Sequence, residues 1–247
     1  MLLPLLLSAA VAAAPAAPKA PAPTQAPKTF RVDYFHTGNA TEEHFSLERM
    51  VVEPLPWPGH PQRAIDDSGL GKYLFEVREQ VGGKLVYSRG FASIYGEWEA
   101  TPEATQVNRT FSESFRFPTP TRSVQVTLKK RGPKNEWKEL WKLDVDPKGM
   151  FVDTSVPASP GPLLTLLHSG PSAQKVDFLI LGDGYTQQQR AKFEKDARRL
   201  VDILFAFSPF KERKQDFNVW GLMPPAREPG ISRPSTGIHK RNPVGST

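Results

Sequence analysis

Short runs of alternating apolar and polar residues dominate the chain between Phe30 and Val152. Alternation with a period of two is typical of β-strands that bury one face, and helical periodicity is almost absent from this part. About seven such runs are separated by segments rich in proline, glycine and asparagine, which favour turns. Because short, turn-linked strands bury their apolar faces best as two packed sheets, we predict an all-β sandwich as the N-terminal domain, residues 29–155.

Turn-forming residues predict where several of these strands begin and end. The runs 73–78 and 85–88 flank a Gly-Gly pair, which predicts a β-hairpin. The run 45–53 is followed by alternating prolines that begin at Pro54. Because proline cannot donate a ladder hydrogen bond, we expect this strand to end there.

Beyond residue 174 the pattern changes to a strand, a helix and a second strand. Residues 175–181 form a nearly continuous apolar run, which predicts a strand buried on both faces. Thr186 and Gln189 have the spacing of a capping box at a helix start. Residues 217–223 resemble a second buried strand. The helix between the strands is predicted by apolar residues that share one face: Phe193, Ala197, Leu200, Val201 and Leu204.

This order of elements predicts a βαβ unit whose two strands are parallel. Two strands and one helix bury too little surface to complete a domain. We therefore expect residues 174–247 to be the truncated start of a larger α/β domain.

Segments without a core-forming pattern precede and separate these two regions. An apolar run at 2–13, followed by small residues, predicts a signal peptide over residues 1–17 and a secreted or periplasmic location. An unprocessed Ala/Pro-rich leader is the alternative. The run is shorter than the ~20 apolar residues that span a bilayer, so no stable membrane span is expected. Residues 18–28 are interpreted as an Ala/Pro-rich linker and residues 156–173 as a Pro-rich linker.

Composition narrows the possible partners and chemistry. The formal charge of +6 comes from 32 Lys and Arg against 26 Asp and Glu. The basic residues are dispersed and often adjoin acids, so no nucleic-acid partner is expected. The absence of cysteine excludes disulfides, a thiol nucleophile and cysteine-ligated zinc. Nothing in the composition indicates an oligomeric state.

No catalytic or metal-binding arrangement emerges from the residues themselves. A zinc-binding helix requires two histidines four positions apart, and none of the five histidines has such a partner. No serine lies in a G-x-S-x-G turn. We therefore assign no catalytic, cofactor-binding or metal-binding residue in this chain. The histidines are His36, His44, His60, His168 and His239.

The segment Gly182-Asp183-Gly184 follows a predicted strand and precedes a predicted helix, where α/β proteins often bind anions. Asp183 is either part of a ligand-binding loop or a turn residue that accepts backbone hydrogen bonds, and the turn is favoured. A nucleotide site is the weakest interpretation, because the segment has neither G-x-G-x-x-G nor a phosphate-loop lysine.

Aromatic residues of the first region allow two interpretations. They form either a sugar-binding platform or part of the core, and the core is favoured because aromatic rings pack well across strands. The residues in question are Trp98, Trp137, Trp141, Phe111 and Phe115.

Several segments resemble the IgA-peptidase family of zinc metallopeptidases. They are residues 31–39 (RVDYFHTGN), 176–186 (VDFLILGDGYT), 208–219 and 231–238. The strand–GDGYT–helix segment is the most specific of them, and the resemblance extends from Phe30 to Thr247.

This resemblance implies an N-terminal β domain followed by the βαβ start of a zincin-like catalytic domain. In the family, a His-Glu-x-x-His helix binds one zinc ion, and its glutamate activates water for peptide hydrolysis. We expect that helix beyond Thr247, so the resemblance supplies no zinc ligand or base here. Asp183 and Tyr185 match a family motif without an assigned catalytic role.

The expected function is therefore the N-terminal portion of a secreted zinc metallopeptidase that acts on protein or peptide substrates. We expect the chain alone to be inactive and to bind no zinc. The alternative is an exported β-sandwich binding module for protein or glycan.

Overall fold

The computed structural model describes residues 27–60 and 62–246. The predicted signal peptide, residues 1–17, and nearly all of the predicted linker, residues 18–28, lie outside the described residues. Within them, no helix combines the length and the apolar composition that crossing a bilayer would require.

The first eight strands form two four-stranded sheets. In the first sheet the order is β5-β1-β2-β8, and in the second it is β4-β3-β6-β7. All neighbours are antiparallel except β2 and β8. The strands are β1 (Lys28–Gly38), β2 (Glu43–Pro56), β3 (Tyr73–Glu79), β4 (Leu85–Phe91), β5 (Arg109–Pro118), β6 (Val124–Arg131), β7 (Trp137–Val145) and β8 (Val152–Asp153).

One hydrophobic core lies between these two sheets. Because side chains alternate along a strand, β1 directs Phe30, Val32 and Tyr34 to its inner face, where all three are buried. Phe115 of β5 stacks on Phe75 of β3, with 4.7 Å between the ring centroids. The predicted β-rich N-terminal domain is therefore confirmed, with residues of both sheets in one cluster.

Strand β2 does not end at Pro54, as the proline pattern predicted, but continues to Pro56. Its outer neighbour β8 pairs only with Met50 and Val51. Beyond these two residues, no partner strand on that side needs an N–H group from β2, so the prolines remove no ladder hydrogen bond there.

Three short elements of the structure were not predicted. They are β8, the helix α1 (Ile94–Trp98) and a 3-10 helix at Pro102–Thr105. Each is too short to show a periodic pattern in the sequence. A local signal does mark the start of α1, where the Ser93 hydroxyl accepts a hydrogen bond from the N–H of Gly96 at 3.0 Å.

The second region is a three-stranded sheet with one helix on it. The sheet order is β10-β11-β9, with β10 and β11 parallel and β9 antiparallel to β11. The predicted βαβ unit is therefore present. Its elements are β9 (Leu164–Leu167), β10 (Val176–Leu181), α2 (Arg190–Leu204) and β11 (Phe217–Leu222).

The predicted linker 156–173 is partly wrong, because it contains β9. This strand has four residues and lies close to a Pro-rich segment, so its apolar run was too short to stand out. Its pairing with β11 adds a third strand to the sheet.

Helix α2 packs on one face of the sheet. Phe193, Ala197 and Val201 are buried there, as their spacing predicted. Leu200 was assigned to the same face, but its side chain is about half exposed. The buried stripe is therefore narrower than the sequence indicated.

The prediction that β10 is buried on both faces is wrong. Four of its apolar residues remain about half exposed, namely Val176 (54%), Phe178 (43%), Leu179 (49%) and Leu181 (45%). Among the described residues β10 pairs only with β11, so it is an edge strand. Helix α2 packs near Ile180, and it leaves the opposite face of β10 uncovered.

Candidate functional site

The loop 182–186 connects β10 to a 3-10 helix (Gln187–Gln189) that continues into α2. It lies at the carboxyl end of two parallel strands, which is where open α/β sheets bind ligands. The N–H of Gly182 donates to the carbonyl of Leu222 at 2.8 Å, so the ends of β10 and β11 are joined at this edge. This position makes the loop the first candidate site.

Both glycines of the loop are required by close contacts. A Cβ at Gly182 would lie 2.7 Å from the ring of Phe193, so this glycine allows α2 to approach the sheet. Gly184 has φ of +73°, and its carbonyl accepts a hydrogen bond from the N–H of Gly230 at 2.8 Å. The loop is thus tied to α2 on one side and to the segment after β11 on the other.

Asp183 binds backbone groups of its own chain. One carboxylate oxygen accepts from the N–H of Gly184 at 3.0 Å and the other from the N–H of Ser246 at 2.9 Å. Burial opposes its ionisation, but these backbone donors outweigh burial and lower the pKa of Asp183. This arrangement is the one that the turn interpretation requires.

Tyr185 and Thr186 connect the loop to the beginning of the helix. The Tyr185 hydroxyl donates to the carboxylate of Asp196 at 3.0 Å. The N–H of Thr186 donates to the side-chain oxygen of Gln189 at 3.1 Å, and the predicted capping box is present. It caps the 3-10 turn that leads into α2, and not α2 itself.

A buried asparagine that the sequence did not reveal organises the opposite face of the sheet. Asn218 is fully buried, and its amide nitrogen donates to the carbonyl of Gly170 and to the Asp177 carboxylate, both at 2.9 Å. Its amide oxygen accepts from the N–H of Ser169 at 2.8 Å. The only signal in the sequence is a polar residue inside an apolar strand. Asn218 therefore fixes the loop before β10.

The most strongly coupled polar cluster lies inside the β-rich domain, around His36. The imidazole is 1% exposed and stacks on Tyr95 at 3.7 Å between centroids. Its Nε2 lies 3.0 Å from a Glu43 carboxylate oxygen and its Nδ1 lies 3.2 Å from Glu113. Burial opposes protonation, but the two carboxylates outweigh it and raise the pKa of His36.

Two lysines and a third carboxylate extend this cluster, which we call the His36 cluster. Lys130 Nζ lies 2.7 Å from Glu43 and 2.9 Å from Glu99, and Lys72 also pairs with Glu99. Three carboxylates therefore face two ammonium groups, and a protonated His36 balances the charge. The cluster is placed by strand alternation, because His36 follows Tyr34 on the inner face of β1.

The His36 cluster leaves no room for an ion, since the imidazole contacts both carboxylates directly. In the part of the chain that the structure describes, no group of three or more His, Asp or Glu side chains is placed to hold a metal. His44 is largely exposed beside Glu42, and the ring of His168 lies near Trp220, with centroids 5.9 Å apart. The residues present therefore do not fit a zinc site.

The five candidate aromatic residues do not form one platform. Phe115 is in the core and Trp141 packs against it. Trp98 and Phe111 contact each other at 5.5 Å between centroids. The guanidinium of Arg131 lies 4.2 Å above the ring of Trp137. The core interpretation thus describes Phe115 and Trp141, while the others pack in two separate places.

Comparison with protein-family models gave two matches along the chain. The model described as Peptidase M64 N-terminus matches residues 23–142. The model described as IgA Peptidase M64 matches residues 164–247, and its match begins at the first residue of β9. Comparison with curated proteins gave no match. The two matches divide the chain where the sheets divide it.

Proposed function

Because the chain belongs to the M64 family of peptidases, we propose that it is the N-terminal portion of a secreted zinc metallopeptidase. In this proposal the β-rich domain precedes the first elements of the catalytic domain. The substrate class is protein or peptide, as the family implies.

The observation that carries this proposal is the exposed apolar surface of β10. Parallel strands in α/β domains are covered on both faces, and edge strands with exposed apolar side chains tend to acquire partners. Here α2 covers one face only, and Phe178, Leu179 and Leu181 are about half exposed. This surface supports a catalytic sheet that gains further elements in the complete enzyme.

Zinc would be held by residues outside the described part of the chain. Catalytic zinc requires three converging protein ligands, and the described residues offer no such set. We propose that the ligands and the general base belong to a His-Glu-x-x-His segment encoded downstream. The present residues would supply the sheet and the 182–186 loop, and they would not hydrolyse peptides by themselves.

A comparison of two proteins tests the proposal. One is the 247-residue chain, and the other is the same chain extended through the downstream coding sequence. We expect only the extended protein to cleave an unfolded protein such as casein, with activity lost to a chelator and restored by zinc. Chelator-sensitive cleavage by the 247 residues alone, or a downstream sequence without the motif, would refute the proposal.

Export is a separate part of the proposal. It is supported by the apolar run at residues 2–13 and by the absence of cysteine, which frees the fold from redox conditions. Mass spectrometry of the protein made in its native host should show loss of the first residues in the periplasm or medium. An intact Met1 in the cytoplasmic fraction would contradict export.

A further inference from the structure

A cleft opens between the two sheets of the β-rich domain, at the side formed by the edge strands β4 and β5. Its volume is about 370 Å³, which is within the range of ligand-binding pockets. A second cleft of about 190 Å³ lies beside it, and Tyr87 borders both. Aromatic rings line the larger cleft: Trp57, Phe75, Tyr87, Phe91 and Phe115.

Arg89 brings a positive charge to the inner face of β4. Because side chains alternate, it shares this face with Tyr87 and Phe91. Its guanidinium donates to the Tyr87 hydroxyl at 3.3 and 3.4 Å, and among the described residues it has no ion-pair partner. Asp66 senses this charge, but its carboxylate accepts hydrogen bonds from Gly90 and Ser68.

Arg116 reaches the rim of the cleft from β5. Its Nε lies 3.1 Å from Glu53, whose same oxygen lies 2.8 Å from Arg31. Arg31 and Arg49 in turn share Asp33. Two carboxylates therefore face three guanidinium groups, so this rim keeps a positive charge in addition to that of Arg89.

The outer edge of β5 is open to a further strand. Among the described residues β5 pairs only with β1, so alternate N–H and C=O groups point away from the sheet. Ser114 and Arg116 of this strand also line the cleft. An extended segment paired with β5 would therefore lie beside the aromatic floor.

We propose that the cleft and the edge of β5 bind an extended acidic polypeptide segment of another protein. Its backbone adds to β5, and its side chains alternate between the two faces. Inward side chains contact the aromatic floor beneath Arg89, and outward carboxylates meet Arg116.

Two simpler explanations account for less of this arrangement. An inward-facing charge protects an edge strand from association, but the outer edge of β4 is already covered, since Ser88 donates to the carbonyl of Ala64 at 2.9 Å. Aromatic rings and arginine would also accept an acidic sugar. A sugar would leave the backbone groups of β5 unused, so the polypeptide is favoured.

Fluorescence anisotropy with defined probes tests this proposal on the whole chain. The first probe is a labelled peptide that alternates glutamate with phenylalanine and is blocked at its carboxyl end. The second replaces glutamate with lysine, and the third is labelled oligogalacturonate. We expect saturable binding of the acidic peptide only, about tenfold weaker in Arg89→Gln and in Arg116→Gln. Arg227→Gln, which removes an exposed charge elsewhere, should bind normally.

Hydrogen exchange locates the binding and separates the outcomes. The acidic peptide should slow amide exchange in β5, around Ser112–Arg116, in the parent chain and in Arg227→Gln. Equal binding of the lysine peptide, preference for oligogalacturonate, no saturable binding or no protection of β5 would each overturn the proposal. No arm depends on peptide hydrolysis, so failure here is distinct from failure of the proposed enzymatic role.

Discussion

Glu43 is the most heavily bonded carboxylate inside the β-rich domain. It receives Lys130 at 2.7 Å, contacts His36 at 3.0 Å and accepts from the Tyr73 hydroxyl at 3.0 Å. Burial opposes its ionisation, but His36 and Lys130 outweigh it and lower the pKa of Glu43 to about 2. A buried carboxylate with this many partners is costly to neutralise, because its partners are then left unsatisfied.

The first prediction concerns Glu43→Gln, which keeps the shape and removes the charge. We expect the free energy of unfolding to fall by about 3 kcal/mol, because the pKa shift and the broken contacts indicate a loss of this size. Urea titration measures it. Glu48→Gln on the same strand is the control, since that exposed carboxylate makes one hydrogen bond, at 3.3 Å to Ser112. Equal small effects would show that the His36 cluster contributes little.

The second prediction is the dependence of stability on pH. The pKa of His36 is raised in the folded state, so its contribution is complete below about 6.5 and is lost as pH rises through the folded value. The pKa of Glu43 is lowered, so its contribution is present above about 4.5 and is lost as pH falls towards 2.

Unfolding free energies measured across this range should therefore peak between the two limits. Replacing His36 with glutamine should flatten the alkaline side of the curve and leave the acid side. The acid side also reflects Glu113, whose pKa is lowered despite burial by His36 and Tyr34. An unchanged alkaline slope in His36→Gln would contradict the assignment.

A third prediction at this scale uses two glycines that face the same ring. A Cβ at Gly182 would lie 2.7 Å from Phe193, whereas a Cβ at Gly221 would lie 3.4 Å from it. Gly182→Ala should cost about 1–3 kcal/mol through overpacking, and Gly221→Ala should cost less. Thermal unfolding compares them, and the opposite order would show that α2 packs differently.

At the scale of elements, strand β10 determines how the second region behaves. Leu179 and Ile180 are adjacent, but Ile180 packs under α2 and Leu179 is half exposed. Leu179→Lys should change the free energy of unfolding by about 0.5 kcal/mol or less, whereas Ile180→Lys should cost several kcal/mol.

Sedimentation checks the second consequence of this fourth prediction. Because an exposed apolar edge strand favours association, Leu179→Lys should lower any self-association of the chain. If Leu179→Lys destabilises the fold as strongly as Ile180→Lys, the uncovered face of β10 is buried in solution.

Residue patterns predicted the elements whose signal is local. The Gly-Gly turn gave the hairpin of β3 and β4, and the spacing from Phe193 to Val201 gave α2. The exposure of β10 and the position of β9 depend on which strands become neighbours, and no local pattern contains that information. Leu200 was misplaced for the same reason, because only the packing partners define the width of the buried stripe.

The site was less predictable than the fold. Position in the sequence correctly placed the 182–186 loop at the end of β10, but the partner of Asp183, Ser246, is distant in sequence. The His36 cluster joins four strands and the end of α1, so its members have no common motif. Their one shared signal is a polar residue at an inward strand position, as with His36 and Asn218.

At the scale of the whole molecule, the two regions have cores of different size. The core of the β-rich domain joins both of its sheets, whereas the second region has two small clusters around Phe193 and Val201. Because stability follows the apolar surface buried, the second region should unfold first. Hydrogen exchange should show faster opening of β10 and β11 than of β1 and β6, and simultaneous opening would contradict this fifth prediction.

The family assignment and the structure describe one division of labour. The β-rich domain carries a cleft with an unpaired arginine, and the second region carries the beginning of a catalytic sheet. Neither part offers converging zinc ligands among the described residues. The chemistry of the proposed peptidase therefore depends on groups that these elements support but do not contain.

Zinc analysis of the purified 247-residue chain tests this central claim most directly. After dialysis against zinc and then against zinc-free buffer, the chain should retain far less than one equivalent of the metal. Retention of one tightly held zinc per chain, released together with peptide-cleaving activity by a chelator, would contradict the account.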